Sequence, residues 1–455
     1  MVATIQVNKQ SIKRLLESGK EQMFLIPEYQ RPYSWTENET KTLFYDLLEF
    51  TENESKKNSE VEGTYFLGSI VSYENDRGEQ EIIDGQQRIT SVYILLKALY
   101  DYAKKEENYK LEDIIKDYLF NKKCEENQKL KLKPIKSDNE QLNYLMKNEL
   151  EELSKESNIY QNYILFDNLI EETLSKNYTI EDILEGIEKL EVVEIVLDNS
   201  QGDEAQIIFE SINSTGLELS VADLIRNYLL MDDKKQEFLF EEYWLKIEKM
   251  IGYDNLEEFF LHFLNSKLSD VISSKNIYQK FKIYYEKNFK NHEEILLLLK
   301  KYAYYYSAFI GKNEKYSVEI NECLNSFSMI NQTTIYPFLL LLFDDFESKK
   351  INEKEMIKIL KFLLSYTVRR IICEIPSNSL RGIYKSLYNR TIKSNQKDYY
   401  YKIVSFFEKI KTRDKIISDK EFKQALIYKP LYKKPICKFI LSTIENSTKE
   451  KIDIL

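Results

Sequence analysis

The chain has 455 residues, of which 43% are hydrophobic and 31% charged, with a formal net charge of −10. That length exceeds one ordinary core and predicts two or three domains, and the composition excludes an intrinsically disordered chain. The acidic total excludes indiscriminate nucleic-acid binding over the whole surface. The charge is uneven, however. Residues 361–455 hold 21 Lys and Arg against 9 Asp and Glu, a net +12 on a remainder of −22. A DNA contact is therefore expected first in that C-terminal region, with Arg369 and Arg370 as candidate DNA-binding residues; the alternative is a lysine-rich solvated helical face. With only 11 Gly and 7 Pro, helix should dominate. The start, residues 1–16, lacks the apolar core of a signal peptide. The longest apolar stretch, 338–343, falls far short of the ~20 residues of a membrane span. Cytoplasm is the expected location, with no membrane partner. Cys124, Cys323, Cys373 and Cys437 form no C-x-x-C pair, so buried free thiols are expected. Two histidines, His262 and His292, leave almost nothing for a His-dependent nuclease or a triad.

In chain order, Asn8 is expected to cap a helix reaching about Ser18, with Ile12, Leu15 and Leu16 on one face and Gly19 as the stop. Residues 24–35 must then be extended, because Pro27 and Pro32 exclude a helix. Thr36 and Glu39 make a T-x-x-E capping box that opens a helix burying Leu43, Phe44, Leu47 and Leu48. A polar loop is expected over 52–62. Residues 65–73 read as a strand, 75–78 as a turn and 81–83 as the returning strand of a hairpin. Asp84-Gly85-Gln86-Gln87-Arg88 then joins that strand to a helix carrying Ile89, Val92, Tyr93, Leu96 and Leu99. Residues 111–190 are helical and charged, with Thr179 and Asp182 as a cap, and 192–197 read as a buried strand. A helix over 205–212 leads to the loop Asn213-Ser214-Thr215-Gly216, and Ser220 and Asp223 cap the helix 221–230. From about 237 onward the period is helical throughout.

Three stretches carry chemistry. A helix entered through Gly85 offers free backbone N–H groups and the positive end of its dipole to an anion such as a phosphate. Gly85 permits close approach and Arg88 can pair with phosphate oxygens. Gln86 and Gln87 can donate hydrogen bonds or orient a water, and Asp84 could hold Mg²⁺. The segment Tyr29 to Trp35 holds Arg31 between aromatics on a rigid extended chain. The third stretch delivers Asn213 from a loop before a capped helix. Each has an ordinary structural reading: a capped turn, core aromatics, and a helix–turn–helix connection.

Taken together they resemble a family. Ile26-Pro27-x-Tyr29-Gln30-Arg31-x-Tyr33-x-Trp35, Tyr65-Phe66-Leu67-Gly68-Ser69-Ile70, Asp84-Gly85-Gln86-Gln87-Arg88-x-Thr90 and Phe209-Glu210-x-x-Asn213-x-x-Gly216-x-x-Leu219-Ser220-x-x-Asp223-Leu224-Ile225-x-Asn227 look like the N-terminal domain of GmrSD-type type IV restriction proteins. The match covers roughly residues 5–231. The resemblance implies an α+β, ParB/sulfiredoxin-like domain over 1–235 with a helical insertion at about 105–190. A mostly α-helical region over 236–455 would follow. It further implies a nucleoside triphosphate, with Mg²⁺, as ligand or substrate of an anti-phage restriction module. Asp84, Gln87 and Arg88 would be catalytic. Gln30, Arg31, Gly85, Gln86, Gln87, Arg88, Thr90 and Asn213 would bind the nucleotide, and Asp84 the metal. The alternative is a non-hydrolysing module that recognises DNA or a partner protein. Expected partners are DNA, including modified phage DNA, a nuclease subunit and a second copy of the chain. Tyr336-Pro337-Phe338, the stretch around Arg369-Arg370 and the final residues from Lys438 resemble the family's helical companion region. The I-E-H-x-x-P motif that opens the family's nuclease does not follow Asp453-Ile454-Leu455. Nuclease activity is therefore not assigned to this chain; it would come from sequence beyond Leu455 or from a partner.

Overall fold

A computed structural model describes residues 6–17, 23–56, 65–75, 77–121, 130–176, 178–197, 220–231, 235–392, 397–432, 434 and 436–445. Two compact units emerge, one holding residues 1–219 and 231–236, the other 220–230 and 237–455. The helix Val221–Leu230 thus belongs to the C-terminal unit, although the sequence places the boundary near 235. Its apolar side is buried there, and Tyr228 meets Tyr278 and Tyr285 edge to face.

The N-terminal unit is built on a six-stranded mixed sheet in the order β1-β6-β3-β4-β2-β5. These strands are β1 (Gln6–Ser11), β2 (Phe24–Leu25), β3 (Tyr65–Glu74), β4 (Gln80–Asp84), β5 (Leu132–Lys133) and β6 (Leu190–Leu197). β3 pairs antiparallel with β4 and parallel with β6, and β1 closes the edge antiparallel to β6. The β3–β4 hairpin forms as expected. In its turn the Asn75 side-chain oxygen accepts from the N–H groups of Arg77 and Glu79.

Around the sheet pack α1 (Ile12–Glu17), α2 (Glu37–Lys56), α3 (Gln86–Lys105), α4 (Tyr109–Leu119), α5 (Lys136–Met146), α6 (Asn158–Leu174) and α7 (Ile180–Glu188). They share one apolar core with Ile70, Ile82, Leu190 and Val192 of the sheet. α3 is its centre: Ile89, Val92, Leu95, Leu96 and Leu99 are at most 1% exposed, each worth roughly 1.5–3 kcal/mol of burial. Two capping boxes read from sequence are in place. The Glu39 carboxylate accepts from Thr36 N and Oγ1, and Thr179 with Asp182 closes a full capping box.

Three local expectations are corrected. Asn8 does not cap a helix; residues 6–11 form β1, and the short helix begins at Ile12, with Ser11 Oγ accepting from Arg14 N. The buried face Ile12, Leu15, Leu16 is nevertheless as read. The polar stretch after Glu52 continues α2 to Lys56 before the described residues pause. β5 interrupts the stretch 111–190, which reads as helical, while β2 falls in the segment expected to be extended.

The C-terminal unit is helical throughout its described residues, with long members at Leu256–Lys267, His292–Phe309, Tyr336–Glu347 and Glu353–Ile372. No helix among the described residues is long and apolar enough to cross a membrane. His262 is buried against Tyr306 and Tyr336, and burial holds its imidazole pKa down at about 4. Cys323 is a buried free thiol, as expected, while Cys373 and Cys437 are half-buried; Cys124 lies outside the described residues.

Candidate functional site

β4 ends at Asp84 and α3 begins at Gln86, so Gly85 alone makes the turn. It takes φ 96°, ψ 3°, a left-handed conformation that a side chain resists. A Cβ there would also lie 2.9 Å from the Ser69 carbonyl oxygen and 3.2 Å from Ile70 Cα. Glycine is required twice over, by conformation and by contact. It lets the start of α3 press on β3.

No side chain caps that helix start, and its first turn holds no acidic residue. The first-turn N–H groups, which have no partner within a helix, therefore lie at the positive end of a 20-residue dipole. Arg88, in the same turn, donates from Nη1 to Ser69 O at 2.6 Å and lies 3.7 Å from Asp84 Oδ2. Both side chains keep about a quarter of their surface exposed, 24% for Arg88 and 23% for Asp84.

Room for Arg88 is made by Gly68. This residue sits at φ 127°, where the β3–β6 register shifts, and a Cβ there would be 2.9 Å from Arg88 Nε. Sequence reasoning gave Gly68 and Ser69 no role. A glycine inside a strand pattern was the available signal for a bulge or a close approach.

Arg31 is held beside the same turn by two clamps. Before it, Gln30 Nε2 donates to Ile83 O at 2.9 Å, and Gln30 Oε1 accepts from Gln86 Nε2 at 3.2 Å. After it, Gln87 Nε2 donates to Pro32 O at 3.1 Å, while Gln87 Oε1 accepts from Ser34 N at 2.7 Å. The chain on both sides of Arg31 is thereby fastened to the end of β4 and the first turn of α3. Its own Nε is buried without a hydrogen-bond partner among the described residues. Downstream, Tyr33 N donates to Asp138 Oδ2 at 2.6 Å, and the Asn162 amide donates to Trp35 O at 2.8 Å. Burial raises the Asp138 carboxyl to about pKa 6 against the pull of the Tyr33 N–H.

The structure thus brings Asp84, Gly85 and Arg88 together and fastens the segment that carries Arg31 to the same turn, but reassigns their neighbours. Gln30, Gln86 and Gln87 are buried, at 2%, 5% and 6% exposure, and their amides serve these internal bonds. Gln87, expected to orient a reacting water, uses both ends of its carboxamide to hold the Pro32–Ser34 backbone. Thr90 is 1% exposed, inside the helix packing rather than at its open end. Asn213 lies outside the described residues.

Asp84 fits Mg²⁺ in one way only. No group of three potential metal ligands occurs among the described residues. A single carboxylate suits an ion that arrives with phosphate oxygens and keeps its waters.

The DNA-binding expectation is also corrected at Arg370. Arg370 is 1% exposed, ion-paired to Asp414 at 2.8 Å and donating to Pro376 O. No phosphate backbone can reach it. Arg369 is tied to Ile417 O and to Asp419.

Residues 12–230 match the family described as GmrSD restriction endonuclease, N-terminal domain. The chain carries a GmrSD-type N-terminal domain. The match spans β2 to β6, the helices α1–α7 and the helix Val221–Leu230, so the GmrSD region includes one helix that folds with the C-terminal unit. No curated protein matches the chain. Every side chain around the α3 start belongs to this GmrSD-type domain.

Proposed function

We propose that residues 12–230 bind and hydrolyse a nucleoside triphosphate, and that turnover controls DNA cleavage in a restriction system. The observation that carries this reading is the open start of α3. Uncapped amides at a left-handed glycine are flanked by Arg88, Asp84 and the clamped Arg31. Such a start holds phosphates by its amides and dipole, and the two guanidiniums add charge-assisted hydrogen bonds. Asp84 would hold the Mg²⁺ that accompanies a triphosphate and spreads its charge. Arg88 and Arg31 orient the terminal phosphate and stabilise charge building on its oxygens as the bond to the leaving diphosphate lengthens.

Phosphate release with Mg²⁺ tests this. Arg88→Ala and Asp84→Asn should each cut turnover by about 10²–10³-fold. Turnover that survives both substitutions refutes a hydrolytic site here. Binding without turnover in the unaltered protein leaves a recognition module in its place.

DNA, as the partner of such a system, would meet the C-terminal unit through its solvent-facing cations. Exposed Lys409, Lys411, Arg413, Lys420, Lys423 and Lys438 support this, rather than the buried Arg370. DNA affinity should then fall steeply with salt and survive Arg369→Ala. Charge reversal at Lys420 and Lys423 that leaves affinity unchanged excludes this face.

A further inference from the structure

β6 presents Leu190, Val192 and Glu194 to one face of the sheet. Leu190 and Val192 are 0% exposed and belong to the core under the helices; Glu194 takes the next position on that face at 9% exposure. Its row across the sheet contains Asn8 on β1 and Ile70 on β3. Ile70 is also the residue whose Cα and Cγ1 border Gly85 at the start of α3. In the preceding row on the same face, Val192 stands beside Gly68, over which the Arg88 guanidinium lies. Adjacent strands are about 5 Å apart. Glu194 is therefore one strand away from the surface on which the first turn of α3 rests, and on Arg88's side of the sheet.

A carboxylate at a core position costs stability unless it is paired, and burial pushes the Glu194 carboxyl up. No cation pairs with it among the described residues. Its partners are two carboxamides: Gln10 Nε2 donates to Oε2 at 2.7 Å, and Asn8 adds a side-chain hydrogen bond. Both come from β1, on one flank. An ionised carboxylate has about four acceptor positions, and the β3 flank, where α3 begins, supplies no donor among the described residues.

We propose that Glu194 reads the sugar of the nucleotide, accepting hydrogen bonds from the ribose hydroxyls while the phosphates lie on the α3 amides. The inference rests on the nucleotide-binding reading above. A carboxylate repels phosphate, so the complementary group is a neutral donor, and a sugar lies within a few ångströms of the phosphates it carries. Acidic side chains take ribose hydroxyls in the same way in folds that hold phosphates at a helix start.

Isothermal titration of the full chain with the four common ribonucleoside triphosphates, their 2′-deoxy counterparts and inorganic tripolyphosphate, all with Mg²⁺, tests this. The unaltered protein should prefer ribonucleotides by about 10–100-fold, the range for a hydrogen bond to a charged group. In Glu194→Gln the new amide must turn its oxygen to Gln10 and its NH₂ to the sugar. That preference should fall to within about threefold while tripolyphosphate binds as before. Glu194→Asp, one methylene shorter, serves if the first variant misfolds, and should weaken the preference partway.

A ribose preference that persists in the variant, or its absence from an unaltered protein that does bind tripolyphosphate, overturns the sugar assignment and leaves the phosphate site standing. Failure of both nucleotides and tripolyphosphate to bind refutes the phosphate site itself, and the sugar assignment with it.

Discussion

Replacing Gly85 with alanine tests how closely α3 rests on β3. Two costs combine at this position. The left-handed backbone disfavours a side chain by roughly 1–2 kcal/mol. The added Cβ would meet Ser69 O at 2.9 Å and Ile70 Cα at 3.2 Å, backbone atoms fixed in a sheet, and overpacking of that kind costs about 1–3 kcal/mol more. Gly78 supplies the control. It has φ 77°, and a Cβ added there would meet nothing within 4 Å, so Gly78→Ala carries the conformational cost alone. Gly85→Ala should therefore destabilise by about 2–5 kcal/mol and Gly78→Ala by about 1–2 kcal/mol. The chain has two tryptophans, Trp35 in the N-terminal unit and Trp244 in the other. In a Trp244→Phe background, urea unfolding followed by Trp35 fluorescence reports the N-terminal unit alone. Equal midpoints for the two alanine variants would refute the close approach of α3 to β3.

Asp138→Asn should stabilise the N-terminal unit above pH 6 by up to roughly 2–3 kcal/mol. The folded carboxyl, raised to about 6, binds a proton more tightly than the unfolded one at its ordinary 3.8. The group's unfavourable contribution therefore grows as pH rises through that window, and the two proteins should converge near pH 4; parallel urea midpoints across pH 4–7 would contradict this. His262 has the opposite sign. Its depressed pKa of about 4 makes the C-terminal unit lose stability as pH falls from about 6.5, an effect that His262→Gln should flatten in Trp244-monitored unfolding. Tyr93→Phe removes a hydroxyl that is buried without a partner, so it should leave stability unchanged or raise it by about 1 kcal/mol; a loss of about 2 kcal/mol or more would reveal a partner for that group. Gly186→Ala should destabilise by about 1–3 kcal/mol, since a Cβ there would lie 2.5 Å from Leu47 Cδ2 and push α7 off α2; an unshifted melting temperature would show that Leu47 yields freely.

Legibility from sequence followed the range of the interaction. The capping boxes at Thr36 and Thr179, the Asn75 turn and the buried stripe of α3 are encoded within a few residues, and each is where local chemistry placed it. β1 escapes a sequence reading because its polar residues 6–11 become a strand only by pairing with β6, nearly the whole N-terminal unit away. The glutamines show a different limit. A Gln beside a phosphate-ready turn can serve a ligand or the backbone, and only the positions of Pro32, Ser34 and Ile83 decide between them. Arg370 misleads in the same way: a basic pair on a charged helix looks solvent-facing until Asp414 and Pro376, distant in sequence from one another, close over it. Glu194 breaks the alternation of β6, and that break is visible in the sequence, but its neighbours Ile70 and Asn8 are not.

The attachment of the Arg31 segment also fixes when the site can exist. Tyr33, Ser34 and Trp35 are held by Gln87, Asp138, Asn158 and Asn162, partners that leave the ribosome 53 to 127 residues later. Contacts of such separation form late, after local helices and hairpins. A nascent or nicked N-terminal unit therefore has its hairpin and α3 before it has Arg31 in place. On the nucleotide-binding reading proposed above, partly made molecules would therefore fail to bind nucleotide.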